Sequence, residues 1–288
     1  MTIWVTEVRV VVTMKEKTKS TVEVSQSALI FFGVVIMGMM GFGGYMFGKI
    51  NTLEKTTPAA QVQPAQPAAQ QQGQQPAGPT VTRDQLKALF DGKNIAFGDK
   101  NSKLIFVEFS DPSCPYCHVA AGKNKALNKQ IGPQFVMKED GGTYVAPVPE
   151  MKKLVESGKA AMVWIYANGH GNGEMGTKAL YCANEKGKYW AVHDLLMNEA
   201  GYTLMNTTVK NDKAQSGAVA EFLKSAIDSG FMKGCLDSGK YDDRLATDMA
   251  TAQKFGFNGT PSFFINTKNF AGAYSFTDMQ SAVDAELK

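Results

Sequence analysis

Two cysteines three positions apart, Cys114 and Cys117, lie where a predicted buried strand is followed by a predicted helix. The strand covers 103–110, where the residues KLIFVEFS are apolar and rich in β-forming side chains. A thiolate at a helix N-terminus is stabilised by unpaired amides and by the helix dipole, which lowers its pKa below the free value of about 8.5. Because the second thiol lies one turn later, it can close a short disulfide with the first. The pattern therefore predicts a redox-active pair whose disulfide is made more oxidising by thiolate stabilisation.

Two alternatives for the segment Cys114-Pro115-Tyr116-Cys117 remain open at this point: a purely structural disulfide, and half of a zinc site. Zinc takes about four ligands, commonly from a second pair of closely spaced cysteines or histidines. The remaining cysteines, Cys182 and Cys235, are isolated, and the three histidines show no paired spacing. We therefore predict no metal site.

An uncharged apolar stretch near the N-terminus divides the chain. No charge occurs between Glu23 and Lys49, and the roughly 20 apolar residues within 28–48 suffice to cross the roughly 30 Å hydrocarbon core of a bilayer. We predict a transmembrane signal anchor at 28–48. Since Lys and Arg are more frequent before the span than after it, residues 1–27 are predicted to be a short cytoplasmic segment. A buried helix and a cleaved signal peptide are the alternatives, but a signal peptide has a shorter apolar region and a small-residue cleavage site.

Composition changes again after the apolar stretch. Residues 49–81 are predicted to be a disordered linker, because the run 56–80 has no charge and no aromatic residue and consists largely of Pro, Ala and Gln. Residues 82–288 have ordinary globular composition and form the predicted catalytic domain. The whole chain has 30 Lys and Arg against 27 Asp and Glu. A net charge of +3, without a basic run, argues against a nucleic-acid-binding protein.

The globular part is predicted to be an α/β domain with a mixed sheet. A second buried strand is expected at 160–167, and the helix that separates it from the first strand indicates a parallel pair. Two late strands, at 261–266 and 269–274, are predicted to form a hairpin. The predicted helices cover 86–90, 114–130, 150–157, 174–185, 188–198, 218–229, 242–255 and 277–287, with Thr82 and Thr277 as caps of the first and the last.

Three stretches resemble the thioredoxin superfamily, and in particular its DsbA-like proteins. They are VEFSDPSCPYC, ALYCANEKGKYWAVHDLL and FGFNGTPSFFIN, in the order expected for the family. The resemblance covers about residues 94–288. It implies a thioredoxin fold with a helical subdomain inserted at about residues 170–255, preceded here by the predicted transmembrane helix and linker. It also implies a cis peptide bond before Pro261, which packs against the active-site disulfide.

The resemblance also implies roles for individual residues. Cys114 is expected to be the nucleophile that links to substrate, and Cys117 to be the resolving thiol. Thr260 and Pro261 are expected to face the disulfide and guide an extended substrate backbone. Glu108 is expected to be a buried acid that accepts a proton from Cys117, with a solvent-facing strand glutamate as the alternative.

The residues around the second cysteine leave the direction of the reaction open. The dipeptide Pro115-Tyr116 departs from the Pro-His of strongly oxidising DsbA proteins and matches glutaredoxins and the DsbG isomerases. His118 is expected to be exposed in the first helical turn, with a thiolate-stabilising charge as the alternative.

Cys182 and Cys235 both fall in the predicted helical insertion. In an extracytoplasmic domain two leftover cysteines more often pair than stay free, so we expect a structural disulfide. The alternative is two buried free thiols that behave as small apolar residues.

The predicted anchor and linker place the domain at the membrane on the extracytoplasmic side. They stand where isomerases of the DsbC and DsbG type carry a dimerisation domain, which favours a monomer. The family resemblance implies a thiol–disulfide oxidoreductase that introduces disulfides into reduced or unfolded exported proteins. It implies no cofactor, and a membrane protein of the DsbB or VKOR type as the reoxidant. Two alternatives remain: a DsbG-like isomerase or reductase, and a non-enzymatic tethered chaperone that binds unfolded chains around Pro261.

Overall fold

A computed structural model describes residues 81–288 of the chain. The predicted segment 1–27, the predicted membrane span 28–48 and all of the predicted linker except Val81 lie outside the described residues. Val81 is buried in the same apolar cluster as Leu86, so it belongs to the folded part rather than to the linker. Across residues 81–288, no helix combines the length and the apolar character needed to cross a membrane.

A five-stranded mixed sheet lies at the centre of residues 81–288, with the strands in the order β1-β3-β2-β4-β5. The strands are β1 Ile95–Phe97, β2 Leu104–Ser110, β3 Ala160–Tyr166, β4 Ser262–Ile265 and β5 Lys268–Ala271. As predicted, β2 and β3 are parallel, and β4 and β5 form an antiparallel hairpin. Strand β1 pairs antiparallel with β3 and has no counterpart in the sequence analysis, because three residues are too few to show a strand period.

Helices surround the sheet and form the insertion between β3 and β4. They are α1 Arg83–Ala88, α2 Pro115–Ala121, α3 Lys125–Ile131, α4 Pro147–Glu156, α5 Glu174–Glu185, α6 Tyr189–Leu196, α7 Glu199–Thr203, α8 Ser216–Phe222, α9 Ser229–Asp237, α10 Asp242–Lys254 and α11 Phe276–Leu287. Helices α5 to α10 make up the insertion, and a π-helical segment, Leu204–Val209, continues α7.

The sheet is buried on both faces. Val107 and Phe109 of β2 face one apolar core, which contains side chains of α1 and α10. Phe106 faces the opposite core, which contains side chains of α4 and α11, and Trp164 of β3 packs against the insertion. Because all residues of β2 are buried, the strand has the near-continuous apolar sequence expected of a central strand.

Two predicted helices are wrong in extent because each contains a break. The predicted helix 114–130 is divided into α2 and α3, since Gly122 ends α2 in the left-handed conformation at φ 64° and Asn124 caps α3 by accepting a hydrogen bond from the Leu127 amide. The predicted helix 218–229 is also divided. Helix α8 ends before Leu223, and α9 begins after Asp228, whose side chain caps the new helix.

The predicted caps have different outcomes. Thr82 caps α1, where its hydroxyl accepts a hydrogen bond from the Gln85 amide at 3.3 Å. Thr277 does not cap the last helix, because α11 begins one residue earlier and Ser275 occupies the N-cap position.

Residues 133–146, to which no element was assigned, fold beside α2. Two short 3₁₀ turns, Pro133–Phe135 and Lys138–Asp140, are followed by a return of the chain, and Met137 forms a β-bridge with Tyr144. The segment packs against Val119 of α2.

Cys182 of α5 and Cys235 of α9 form a disulfide across a sequence separation of 53 residues. The bond joins two helices of the insertion, and Cys182 lies in its apolar core.

Removal of this disulfide is expected to lower the free energy of unfolding by about 4 kcal/mol, since the crosslink no longer restricts the unfolded chain. Urea unfolding of the full chain carrying both Cys182→Ala and Cys235→Ala, compared with the oxidised parent, measures the loss. The control carries Cys114→Ala and Cys117→Ala, because a crosslink across so short a loop restricts the unfolded chain far less. Equal losses in the two variants would contradict this account of the stabilisation.

Candidate active site

The end of β2 and the start of β4 bring two loops together. Phe109 pairs with Ser262, so the loop that follows β2 lies next to Thr260 and Pro261, which immediately precede β4. The Thr260–Pro261 peptide bond is cis, as the family resemblance implies. The Cys114 Sγ lies 3.5 Å from the Thr260 carbonyl oxygen, which places the first cysteine against the cis-proline loop.

Helix α2 presents the two cysteines unequally. Cys114 occupies the N-cap position and Pro115 the first helical position, where its missing amide hydrogen is not needed. Cys114 is 3% exposed and Cys117 is fully buried. Tyr116 is the outward member of the motif at 45% exposure, and its ring packs edge-on against Phe135 at a centroid distance of 5.9 Å.

The pKa values of the two thiols are shifted in opposite directions. The pKa of Cys114 is lowered from 9.0 to about 7, first because the Cys117 thiol donates a hydrogen bond to its thiolate, and further by the amides of Tyr116 and Cys117. Burial raises the pKa of Cys117 well above 9.0. At neutral pH about half of the Cys114 thiols are therefore ionised and able to act as nucleophiles, while Cys117 stays protonated.

Glu108 lies in the middle of β2 and is 1% exposed, so the alternative of a solvent-facing glutamate is wrong. Burial raises the pKa of its carboxyl from 4.5 to about 7. Its Oε2 atom has no hydrogen-bond partner among the described residues. The Ser110 side chain, two residues along the same strand face, is close to both Glu108 and Cys117. Its Oγ has no hydrogen-bond partner among the described residues, so the three side chains are neighbours that no hydrogen bond joins.

His118 is fully buried, which makes the expected exposed position wrong. Its ring lies 4.9 Å from the Tyr202 ring of α7, and its two nitrogens are 2.8 Å from the Met197 carbonyl oxygen and 2.9 Å from the Pro112 carbonyl oxygen. Burial lowers the pKa of His118 to about 4. A neutral ring donates to one of these carbonyls and carries no charge that would stabilise the Cys114 thiolate.

Asp111 has no role in the sequence analysis, yet it is fully buried beside the cysteines. Its Oδ1 accepts hydrogen bonds from the Ser113 amide and hydroxyl, both at 2.7 Å. The sequence Asp111-Pro112-Ser113 contains the signal, because aspartate side chains commonly bond the backbone two residues on in a turn.

The described residues contain one group of side chains with the spacing of metal ligands. Cys182, Glu185 and Cys235 bring their ligand atoms within 4.8 Å of one another. The two sulfurs are bonded to each other, so they are not available as thiolate ligands.

Glu108→Gln is expected to change how stability depends on pH. Below about pH 4.5 the carboxyl is protonated in both the folded and the unfolded chain, whereas between 4.5 and about 7 it ionises only in the unfolded chain. The parent therefore loses folding free energy as the pH rises through this window, by about 3 kcal/mol at about 1.4 kcal/mol for each pH unit. About 1 kcal/mol of this loss is already present at about pH 5. Urea unfolding of the reduced proteins at about pH 5 and about pH 8 should therefore show the variant gaining on the parent by about 2.5 kcal/mol. Glu156→Gln, which changes an exposed residue of α4, is the control, and a gain that is the same at both pH values would contradict the burial argument.

Comparison with known proteins agrees with this geometry. The family model described as Thioredoxin matches residues 148–285. The matched range is just under half of the chain and begins after Cys117, so the match does not depend on the two active-site cysteines.

Two relatives and one solved structure are informative. A Rickettsia felis protein named "Putative protein-disulfide oxidoreductase" is 23% identical over 246 residues, which cover 83% of this chain and 76% of the relative. The Salinispora tropica protein named Na(+)/H(+) antiporter NhaA 3 is 22% identical over 190 residues, which are 65% of this chain and only 24% of that longer relative. The crystal structure of a variant of Wolbachia pipientis alpha-DsbA1 superposes with a TM-score of 0.52 at 15% identity, covering 72% of this chain and 96% of the other.

The Rickettsia felis relative, which matches over most of its own length, carries the name of a protein-disulfide oxidoreductase, which is consistent with thiol–disulfide exchange. The Wolbachia structure agrees with this chain in fold. The cis bond before Pro261 and the helical insertion, both implied by the family resemblance in the sequence, are present in the structure. Residues 81–288 therefore contain a thioredoxin-like domain with the fold of the DsbA-like oxidoreductases.

Proposed function

We propose that this protein is a thiol–disulfide oxidoreductase that introduces disulfides into exported proteins through Cys114 and Cys117. The observation that carries the proposal is the position of Cys114: its sulfur lies 3.5 Å from the Thr260 carbonyl oxygen, and its pKa is lowered to about 7. A nucleophilic sulfur beside a half-buried loop is an arrangement suited to disulfide exchange with a polypeptide.

The reaction proceeds by two exchanges. A substrate thiolate attacks the Cys114 sulfur of the Cys114–Cys117 disulfide, forming a mixed disulfide and releasing Cys117 as a thiolate. A second substrate thiolate then attacks the substrate sulfur of the mixed disulfide and releases Cys114. The substrate loses two electrons and two protons and gains a disulfide, while the enzyme gains both electrons and becomes a dithiol.

Glu108 is placed to serve the first of these steps. The released Cys117 thiolate is buried, and its raised pKa means that it takes up a proton. A protonated Glu108, with its pKa raised to about 7, supplies that proton along the strand face that carries Ser110. In the reverse reaction the same carboxylate accepts the proton from Cys117.

The substrates are exported proteins, so the active site faces the extracytoplasmic side. The remaining proposals follow from the sequence. The span 28–48 anchors the chain as a single-pass protein of the cell membrane, and 49–80 tethers residues 81–288 on the extracytoplasmic side. The enzyme acts as a monomer, and a membrane protein of the DsbB or VKOR type reoxidises it.

One observation favours the opposite direction, reduction or isomerisation. A thiolate pKa of about 7 is typical of the reductant thioredoxin, whereas the strong oxidant DsbA has a value of about 3.5. The pKa of Cys114, also about 7, and the Pro115-Tyr116 dipeptide are both compatible with this second candidate.

The reduction potential of Cys114–Cys117 separates an oxidase or isomerase from a reductase. The full chain, solubilised in detergent, is equilibrated against glutathione buffers and the fraction of dithiol is measured by thiol alkylation. We expect a potential of about −120 to −180 mV, the range of strong oxidants and isomerases. A value of about −230 to −270 mV would reject disulfide donation and establish a reductase.

Cys114→Ala separates an enzyme from a binding module. If the protein is an enzyme, its rate of oxidising a peptide with two thiols is expected to fall by a factor on the order of 10³, since the nucleophile is removed. A chaperone that binds unfolded chains around Pro261 would keep suppressing the aggregation of an unfolded client. Cys182→Ala with Cys235→Ala is the matched control, because it removes two sulfurs outside the site; retained oxidation by Cys114→Ala would refute the mechanism.

A further inference from the structure

Asp111 contacts both active-site cysteines through its backbone. Its amide points at the Cys117 Sγ at 3.4 Å, and its carbonyl oxygen accepts a hydrogen bond from the Cys114 amide at 3.0 Å. The residue therefore lies at the base of the turn that presents both sulfurs, although the exchange steps make no use of its carboxylate.

The carboxylate of Asp111 joins two loops that are distant in sequence. Oδ1 binds Ser113 of its own turn, while Oδ2 accepts hydrogen bonds from the amides of Gly169 and His170, each at 2.9 Å. A fully buried carboxylate is costly unless it is well hydrogen-bonded. The bonds to Ser113 alone would complete an ordinary aspartate turn. The second oxygen, Oδ2, therefore has a separate role: it binds loop 168–173, which follows β3.

The loop 168–173 in turn lies against the cis-proline loop. A Cβ atom built on Gly169 would be 1.6 Å from the Thr260 Oγ1, so the Gly169 backbone and the Thr260 side chain are in direct contact. Thr260 in turn contacts the first cysteine, because its carbonyl oxygen faces the Cys114 Sγ. Asp111, Gly169, Thr260 and Cys114 thus form a closed ring of contacts around the site.

A second side chain strengthens the same connection. Asn206, in the π-helical segment, donates to the Ser113 carbonyl oxygen at 3.1 Å and accepts a hydrogen bond from the Asn172 side chain at 3.1 Å. The backbone amide of Asn172 donates to the Ser113 hydroxyl at 3.1 Å. Both residues of this bridge belong to the insertion side, so the cysteine turn is held to loop 168–173 at two points.

We propose that Asp111 is a positioning residue that fixes the distance between Cys114 and the Thr260–Pro261 loop by holding loop 168–173 against Thr260. This inference rests on the proposed function, because the proposed function assigns the binding of the substrate backbone to the Thr260–Pro261 loop. Loss of the carboxylate lets loop 168–173 and Thr260 move away from Cys114, which weakens binding of a peptide substrate more than it slows exchange with a small thiol.

The test is Asp111→Asn in the full chain. An asparagine has one acceptor oxygen in place of two, so it can no longer accept hydrogen bonds both from the Ser113 amide and from the Gly169 and His170 amides. Either loss weakens the connection between the cysteine turn and loop 168–173 with little change in size. We expect the KM for a two-thiol peptide to rise about tenfold, while the rate of reduction of the Cys114–Cys117 disulfide by dithiothreitol stays within about threefold. Amide hydrogen exchange should accelerate at Gly169, at His170 and at the three amides of the segment 258–261, whose last residue, Pro261, carries none. It should not accelerate throughout the domain.

Asp248→Asn is the matched control. Asp248 is also fully buried and accepts a hydrogen bond from the Tyr166 amide at 3.1 Å, but its other partners are Tyr181 and Arg244 of the insertion. It is expected to lower stability without the selective change in KM or in exchange at 258–261. If Asp111→Asn behaves like Asp248→Asn, the carboxylate is merely structural and the proposal is wrong.

Gly169→Ala provides a second test if Asp111→Asn fails to fold. The added methyl group presses on Thr260 and leaves the carboxylate in place, so the same rise in KM is expected. An unchanged KM would overturn the proposal. If the parent shows no thiol–disulfide exchange with any substrate, the proposed function fails, and hydrogen exchange at 258–261 still decides whether Asp111 holds the loop.

Discussion

The pairing of β2 with antiparallel β4 is the constraint on which the rest of this site depends. The end of β2 and the start of β4 lie at the same edge of the sheet because Phe109 faces Ser262. The turn with Cys114 is thereby brought beside Pro261, although most of the helical insertion lies between them in sequence. Burial of all β2 residues stabilises this pairing, so the hydrophobic core and the active site share one strand.

Burial also makes the two thiols chemically different. Cys114 keeps donors around its sulfur, which lower its pKa, whereas Cys117 is enclosed and its pKa rises. The same low-polarity surroundings raise the pKa of Glu108. Groups whose environments shift their pKa values apart divide the roles of nucleophile, leaving group and proton carrier. Glu108 of β2 can therefore act as a proton carrier only because its neighbours are apolar.

Much of this arrangement could be predicted because it depends on local patterns: the apolar runs of β2 and β3 and the motif at Cys114. The cis bond before Pro261 was implied by the family resemblance. The errors have two causes: local helix breaks that the apolar spacing hides, and tertiary contacts. Gly122 and Asp228 divide helices whose apolar spacing continues across the break. His118 lies one turn into a helix, where exposure is ordinary, but α7 of the insertion covers it. The role of Asp111 depends on loop 168–173, a contact that no local pattern contains.

The direction of the reaction follows from how far the reduced pair is stabilised. Each interaction that favours the Cys114 thiolate stabilises the dithiol form and makes the disulfide more oxidising. The lowering to about 7 is moderate, and burial of Cys117 and Glu108 adds no charge that would lower it further. A moderate oxidant can still donate disulfides if a membrane partner reoxidises it faster than reductants act, since compartments outside the cytoplasm are kept oxidising kinetically. The proposed anchor would then matter as much as the potential, because it keeps the active site near such a partner.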